Sequence, residues 1–144
     1  MYWLSLCPKD QLGTGLETGT IGVDTNLDRM NDLMQGGFLI VYSQMDSAGG
    51  EQLKAFTALG RIADTPEEQV EGPWTVNRRI AYFSAFDVPL ASVGDNLVFP
   101  AQRPAWQSEG LIPIEAADFL VVAEAMLPPP IFQKVQSVAE DPIL

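Results

Sequence analysis

The sequence predicts an α+β fold: a run of β-strands with short helices at its ends and crossings. Three observations carry this. Short apolar runs stop at glycine or proline, and the eleven prolines and twelve glycines are spread along the chain instead of clustered. Apolar residues recur at helical spacing only around residues 27–34 and in the C-terminal part. Many short elements joined by turns leave this punctuation, because glycine and proline supply the backbone angles that tight turns need.

Residues 2–6 are aromatic and aliphatic and stop at Pro8, which predicts a first strand. Gly13, Gly15, Gly19 and Gly22 punctuate the next stretch, which predicts a loop-rich segment. Leu27, Met30, Leu33 and Met34 have helical spacing and predict a turn or two of helix before Gly36 and Gly37. Residues 38–42 (Phe-Leu-Ile-Val-Tyr) are apolar throughout, as expected of a central strand buried on both faces. Residues 46–50 predict a hairpin connection. Residues 53–62 predict the next strand, with Phe56, Ala58 and Gly60 on one face and Thr57, Leu59 and Arg61 on the other. An acidic turn over 64–68 is followed by a long strand over 76–86 and a short one over 97–99, ended by Pro100.

Residues 115–127 form the clearest helix: Ala116, Phe119, Leu120, Ala123 and Leu127 share one face, with Glu115 and Asp118 in the first turn, where the helix dipole favours them. Pro128, Pro129 and Pro130 end it. A proline-led tail over 128–144 predicts a last helix with Ile131, Val135, Val138 and Ala139 on one face. The main domain then spans 1–127, with no internal repeat and no linker.

Composition restricts the function. The chain of 144 residues suits one domain, and 47% apolar against 19% charged residues excludes a disordered chain. Eight basic against 19 acidic residues give a net charge of −11, so the far field repels a polyanion. Any nucleic-acid contact has to be local or limited to a nucleoside-sized ligand. Cys7 is the one cysteine and there is no histidine, which removes an intrachain disulfide, the commonest general base and the commonest metal ligand. The N-terminus lacks the basic and long apolar regions of a signal peptide, and no apolar run approaches the ~20 residues that span a bilayer. The expectation is a cytoplasmic protein without cofactor, metal or membrane contact.

Several pieces, in order, match a known family: Tyr2-Trp3-Leu4; Leu27-Asp28-Arg29-Met30 with Gly36-Gly37-Phe38 and Val41-Tyr42-Ser43; residues 52–60; Pro73-Trp74 with Arg78-Arg79; and 110–114 leading into Asp118-Phe119 and Ala125-Met126. On these the chain resembles the EVE domain of UPF0310-type proteins, in the PUA-like superfamily, over roughly residues 2–127. The resemblance implies a small mixed β-barrel with short flanking helices. It also implies a reader of nucleic acid that takes a modified or flipped base, or a nucleotide, in an aromatic pocket. Such a pocket works by stacking and by hydrogen bonds to the base edge. Two departures remove positive charge: 22–26 read Gly-Val-Asp-Thr-Asn where relatives carry a His-Gly-Lys-like segment, and 106–110 lack the relatives' arginines.

The residues expected to line such a pocket are Trp3, Tyr42, Ser43, Trp74, Arg78 and Trp106. Core packing competes with ligand stacking for the rings, and more strongly for Trp3 and Tyr42, which lie inside strands. Trp74 and Trp106 lie beside prolines in loops, where binding residues concentrate. Ser43 and Thr57 can offer hydroxyls to a base edge, or spend them on strand-end or cross-strand hydrogen bonds. In a strand, Arg78 and Arg79 point to opposite faces, and Arg78 is expected to contact a phosphate or the ligand itself. Glu67, Glu68 and Glu71 read as a solvated turn and Cys7 as a small buried apolar residue. With no catalytic constellation in sight, the expectation is a binding module and not an enzyme. The rival expectation is a protein-interaction module, with an acidic surface for a basic partner and the 131–139 face docking on another chain, as in a homodimer.

Overall fold

The computed structural model describes residues 2–23, 32–46, 50–65, 70–72, 74, 76–108 and 110–140. The strands are β1 (Tyr2–Leu6), β2 (Thr20–Val23), β3 (Phe38–Met45), β4 (Gln52–Ile62), β5 (Val76–Tyr82), β6 (Val88–Pro89) and β7 (Leu111–Ile114). The helices are α1 (Lys9–Thr18), α2 (Leu90–Val93), α3 (Phe99–Gln102), α4 (Ala116–Met126) and α5 (Pro129–Glu140), with 3-10 turns at Gly94–Asn96 and Trp106–Ser108. The strand order is β2-β5-β4-β3-β1-β7, with β6 also pairing with β4. β1 runs parallel to β3 and the other pairs are antiparallel, so the sheet is mixed. It curls into a half-barrel with short helices, the α+β class expected.

β3 is buried from Phe38 to Ser43, as its unbroken apolar run requires of a strand covered on both faces. Phe38, Ile40 and Tyr42 enter one cluster, with Leu4, Phe56, Phe119, Val122 and Met126. Leu39 and Val41 enter the other, with Trp3, Leu12, Leu33, Ile62 and Ile80. Helices α4 and α5 cover the first face and α1 lies on the second.

The faces of β4 differ from strict alternation. The register passes from Val41↔Ala58 to Tyr42↔Phe56, leaving Thr57 as the extra residue of a bulge. Phe56 and Leu59 therefore share the first cluster, while Ala58 and Ile62 face the second. A bulge shifts parity by one, which a period-two reading cannot anticipate.

The glycine-rich segment after Pro8 is a helix, not a loop. Glycine weakens a helix by roughly 1 kcal/mol relative to alanine, but here two glycines are required. A Cβ at Gly15 would lie 2.6 Å from the Thr20 carbonyl oxygen and 3.1 Å from the Trp74 ring. Gly19 ends α1 at φ 68°, its N–H bonding the Gly15 carbonyl.

The strand expected over 97–99 is also absent. The buried Asp118 carboxylate accepts from the N–H groups of Val98 (2.8 Å) and Phe99 (2.9 Å) and so starts α3, with Pro100 in its first turn. Asp118 thus serves a neighbouring helix start and not solvent at the start of its own. The strand over 76–86 stops at Tyr82, after which β6 rejoins β4 at Phe56↔Val88.

α4 forms as expected, but its buried face is Phe119, Val122, Ala123 and Met126. It is apolar nearly all round, so spacing selects the face poorly. α5 also forms, and Val135 is buried in the first cluster with Ile131 and Phe132 packed against it. That face closes this chain's own core, while Val138 remains exposed.

The helical spacing over 27–34 falls largely outside the described residues, as do Pro73 and the carboxylates Glu67 and Glu68. Among the described residues, no helix is long and apolar enough to cross a membrane.

Candidate functional site

The six expected site residues do not converge. Tyr42 and Trp106 lie in the first cluster, at 0% and 3% exposure. Their rings meet edge-on with centroids 4.8 Å apart, and Tyr42 also meets Phe56 (5.3 Å) and Trp106 meets Phe99 (5.1 Å). Interlocked edge-to-face rings are core packing. These two side chains therefore fill the interior in place of lining an open cleft.

Ser43 and Thr57 are likewise closed on each other. Ser43 Oγ donates to the Cys7 carbonyl at 2.7 Å and lies 2.7 Å from Thr57 Oγ1, so Thr57 supplies the proton of the second bond. The cross-strand reading of these hydroxyls holds, and no base edge is needed to satisfy them.

Arg78 is inside the protein at 2% exposure, and its expected phosphate contact is replaced by an internal ion pair. Its Nε lies 3.0 Å from both oxygens of the fully buried Asp64, and Nη2 donates to the Leu33 carbonyl at 2.6 Å and to the Asp64 carbonyl at 3.3 Å. The pair ties β5 to the chain leaving β4 and to the segment before β3. The acidic turn expected from residue 64 onward therefore begins with a buried carboxylate and not a solvated one. A buried guanidinium needs such a partner, and the partnership depends on which face Arg78 takes.

Trp3 and Trp74 belong to the other side of the sheet. Trp3 is 6% exposed within the second cluster, and its indole N–H has no hydrogen-bond partner among the described residues. A buried donor left unpaired costs roughly 1–3 kcal/mol.

Trp74 is the one tryptophan of the three left half-buried. Its ring lies against Gly15 of α1 and Gly22 of β2; a Cβ at Gly22 would sit 2.7 Å from Trp74 Cβ. Its backbone is bracketed by Asn77, whose Oδ1 accepts from Trp74 N–H at 3.0 Å and whose Nδ2 donates to the Trp74 carbonyl at 2.6 Å. Sequence reasoning passes over Asn77; an asparagine three residues after an aromatic in a turn is the signal that could have found it.

Cys7 is buried, and desolvation, then the Asp10 carboxylate, push its thiol up to about 12. Burial also raises the Tyr42 and Tyr82 phenols. These groups favour the folded state while protonated, so stability is lost as pH climbs from the ordinary thiol value through about 12. Native protein at about pH 8 is expected to leave Cys7 unmodified by a thiol reagent until denaturant is added. Rapid modification of the folded chain would contradict this environment. Among the described residues, no group of three or more Cys, Asp or Glu side chains is placed to hold a metal ion.

Comparison with known proteins gives a consistent pattern. The chain is 34% identical over 137 residues to a UPF0310 protein of Renibacterium salmoninarum, covering 87% of this chain and 94% of that one. It is 27% identical over 137 residues to a UPF0310 protein of Mycolicibacterium vanbaalenii (88% and 93% covered) and 30% over 112 residues to one of Streptococcus sanguinis (74% of each). A crystal structure of a Pseudomonas syringae protein superposes with a TM-score of 0.55 at 15% identity, covering 86% of this chain and 98% of that one. At that identity the likeness speaks to fold alone. No family model matches the chain.

Proposed function

Because this chain belongs to the UPF0310 family, we propose that it is an EVE-type, PUA-like reader: a non-catalytic domain that binds a modified or flipped base, or a nucleotide, by stacking it on Trp74. The observation that carries this reading is the half-open state of Trp74, held by the Asn77 bracket over two glycines that leave room for its ring. Trp3 supports it from the same side of the sheet, as an indole N–H without a partner among the described residues. Stacking contributes on the order of 1–3 kcal/mol per base, so binding does not require a strongly basic surface. The net charge of −11 favours a short strand or a single nucleotide over a long polyanion. DNA and RNA are both open to such a pocket, and the protein would work in the cytoplasm.

The test is titration with nucleosides and with short modified and unmodified single strands, followed by tryptophan fluorescence and NMR. Trp74→Ala is expected to lower affinity for a stacked base at least tenfold, the equivalent of about 1.4 kcal/mol, within the range for one stacked base. Absence of any quenching or chemical-shift change with every ligand would overturn the reading.

A second reading, a protein-interaction module, is favoured by one feature: a groove of about 400 Å³ between α4 and α5, lined by Glu124, Leu127, Pro129, Phe132, Gln133 and Gln136. Removing the 128–144 tail would not test it cleanly, because Val135 is part of the core. Gln133→Arg and Val138→Glu leave the core intact. Loss of a homodimer or of a basic partner in these variants, with ligand binding unchanged, would support interaction through α5.

A further inference from the structure

At the end of the β4–β5 ladder, four residues form a square on the sheet face turned away from the second cluster. Arg61 is directly opposite Ala81, and Ile62 opposite Ile80. Ala63 N–H donates to the Arg79 carbonyl at 2.9 Å, which carries the register one step further and sets Ala63 opposite Arg79. Ile62 and Ile80 enter the second cluster, so alternation puts Arg61, Ala63, Arg79 and Ala81 on the other face. The arginines occupy one diagonal of the square, with Cα atoms roughly 7–8 Å apart, and the alanines occupy the other. Arg61, Arg79 and Ala81 are exposed and Ala63 is half-buried. With only a methyl group at each alanine corner, the space between the two arginines stays open.

Both charges are uncompensated. The chain carries 19 acidic against eight basic residues, yet among the described residues the ion pairs are Lys9–Asp87 and Arg78–Asp64. Neither Arg61 nor Arg79 has a carboxylate partner there. Arg61 is nevertheless anchored, with Nε donating to the Gly36 carbonyl at 3.0 Å and Cζ 5.1 Å from the centre of the Phe38 ring. These anchors use Nε and one face of the guanidinium plane, and they leave its Nη groups for an acceptor. A fork held in place before binding loses less rotamer freedom when it binds.

The number of oxygens selects the acceptor. A carboxylate has two, enough for one guanidinium fork. A phosphodiester likewise has two unesterified oxygens and a single charge. A phosphomonoester offers three strong acceptor oxygens and a charge of about −1.5 to −2 at pH 7, so it can accept from two forks at once.

We infer that Arg61 and Arg79 form a binding site for a phosphomonoester, seated over Ala63 and Ala81. The site is on the opposite sheet face from the cluster that Trp74 packs against, and it does not depend on base stacking there.

The test is an NMR titration with methyl phosphate, compared with dimethyl phosphate at equal ionic strength. In the parent protein, methyl phosphate is expected to shift the backbone amides of Arg61, Ala63, Arg79 and Ala81 to saturation. Arg61→Gln and Arg79→Gln should each weaken binding roughly tenfold, as for the loss of a hydrogen bond to a charged group. Ala81→Leu keeps both charges but fills a corner, and should weaken binding as well. Lys134→Gln, an exposed change on α5 that alters net charge equally, should leave it unchanged. Binding should also fade as pH falls below about 6, where the phosphate loses its second charge. Dimethyl phosphate binding as tightly as methyl phosphate would overturn the inference. So would the absence of saturable shifts in the parent, or their persistence in the double arginine variant. Arg79 makes no side-chain hydrogen bond or ion pair among the described residues, so Arg79→Gln carries the test even where Arg61→Gln disturbs the contact at Gly36.

Discussion

Asp64→Ala is expected to destabilise the protein by roughly 3–5 kcal/mol, the range for removing one partner of a buried ion pair. Asp64 is fully buried and Arg78 is 2% exposed. Once the carboxylate is gone, the guanidinium is left in a medium that solvates it poorly, with the Leu33 and Asp64 carbonyls among its remaining contacts and the Asp64 charge no longer there to balance it. The loss reflects an uncompensated charge more than the worth of the pair. Arg78→Met combined with Asp64→Leu should therefore recover most of it, because two apolar side chains leave no charge unpaired. Urea unfolding followed by tryptophan fluorescence measures both. A loss below about 1 kcal/mol for Asp64→Ala, which is typical of an exposed pair, would show that the pair is open to solvent.

Trp106→Ala is expected to cost about 3–5 kcal/mol, the usual range for truncating a buried large aromatic. The indole is 3% exposed and meets Tyr42 and Phe99 edge-on, and such ring pairs contribute beyond the area they bury. The comparison with Trp74→Ala separates a ring that builds the interior from one that meets a ligand. Trp106→Ala should lower the unfolding midpoint sharply and leave the affinity of the folded protein unchanged. Trp74→Ala should do the reverse, since its ring is already half open. Loss of ligand affinity in a Trp106 variant that remains well folded would return Trp106 to the site.

The contrast between these two tryptophans shows how far sequence reasoning reaches. Both sit in loop-like contexts beside proline, and local context treats them alike. Trp106 is drawn inward because its 3-10 turn sits over Tyr42 and Phe99, which are distant in sequence from each other. Trp74 stays half open because Gly15 and Gly22, from two other elements, shape the floor beneath it. Arg78 and Arg79 illustrate the same limit. Alternation requires that they face opposite ways, but nothing local says which is inside.

Local pattern along the chain was enough to specify the α+β class, the central strand β3, the span of β4 and the helices α4 and α5. Each is written as an apolar run or a spacing within a few residues, and burial acts on that local pattern. Packing between distant segments settled the rest: the helix α1 in a glycine-rich stretch, the bulge that shifts the faces of β4, and the burial of Arg78 against Asp64. It also divided the aromatic residues between two sides of one sheet. Those outcomes depend on which surfaces meet across the fold, and a contact between distant segments leaves no period in the chain for a sequence to display.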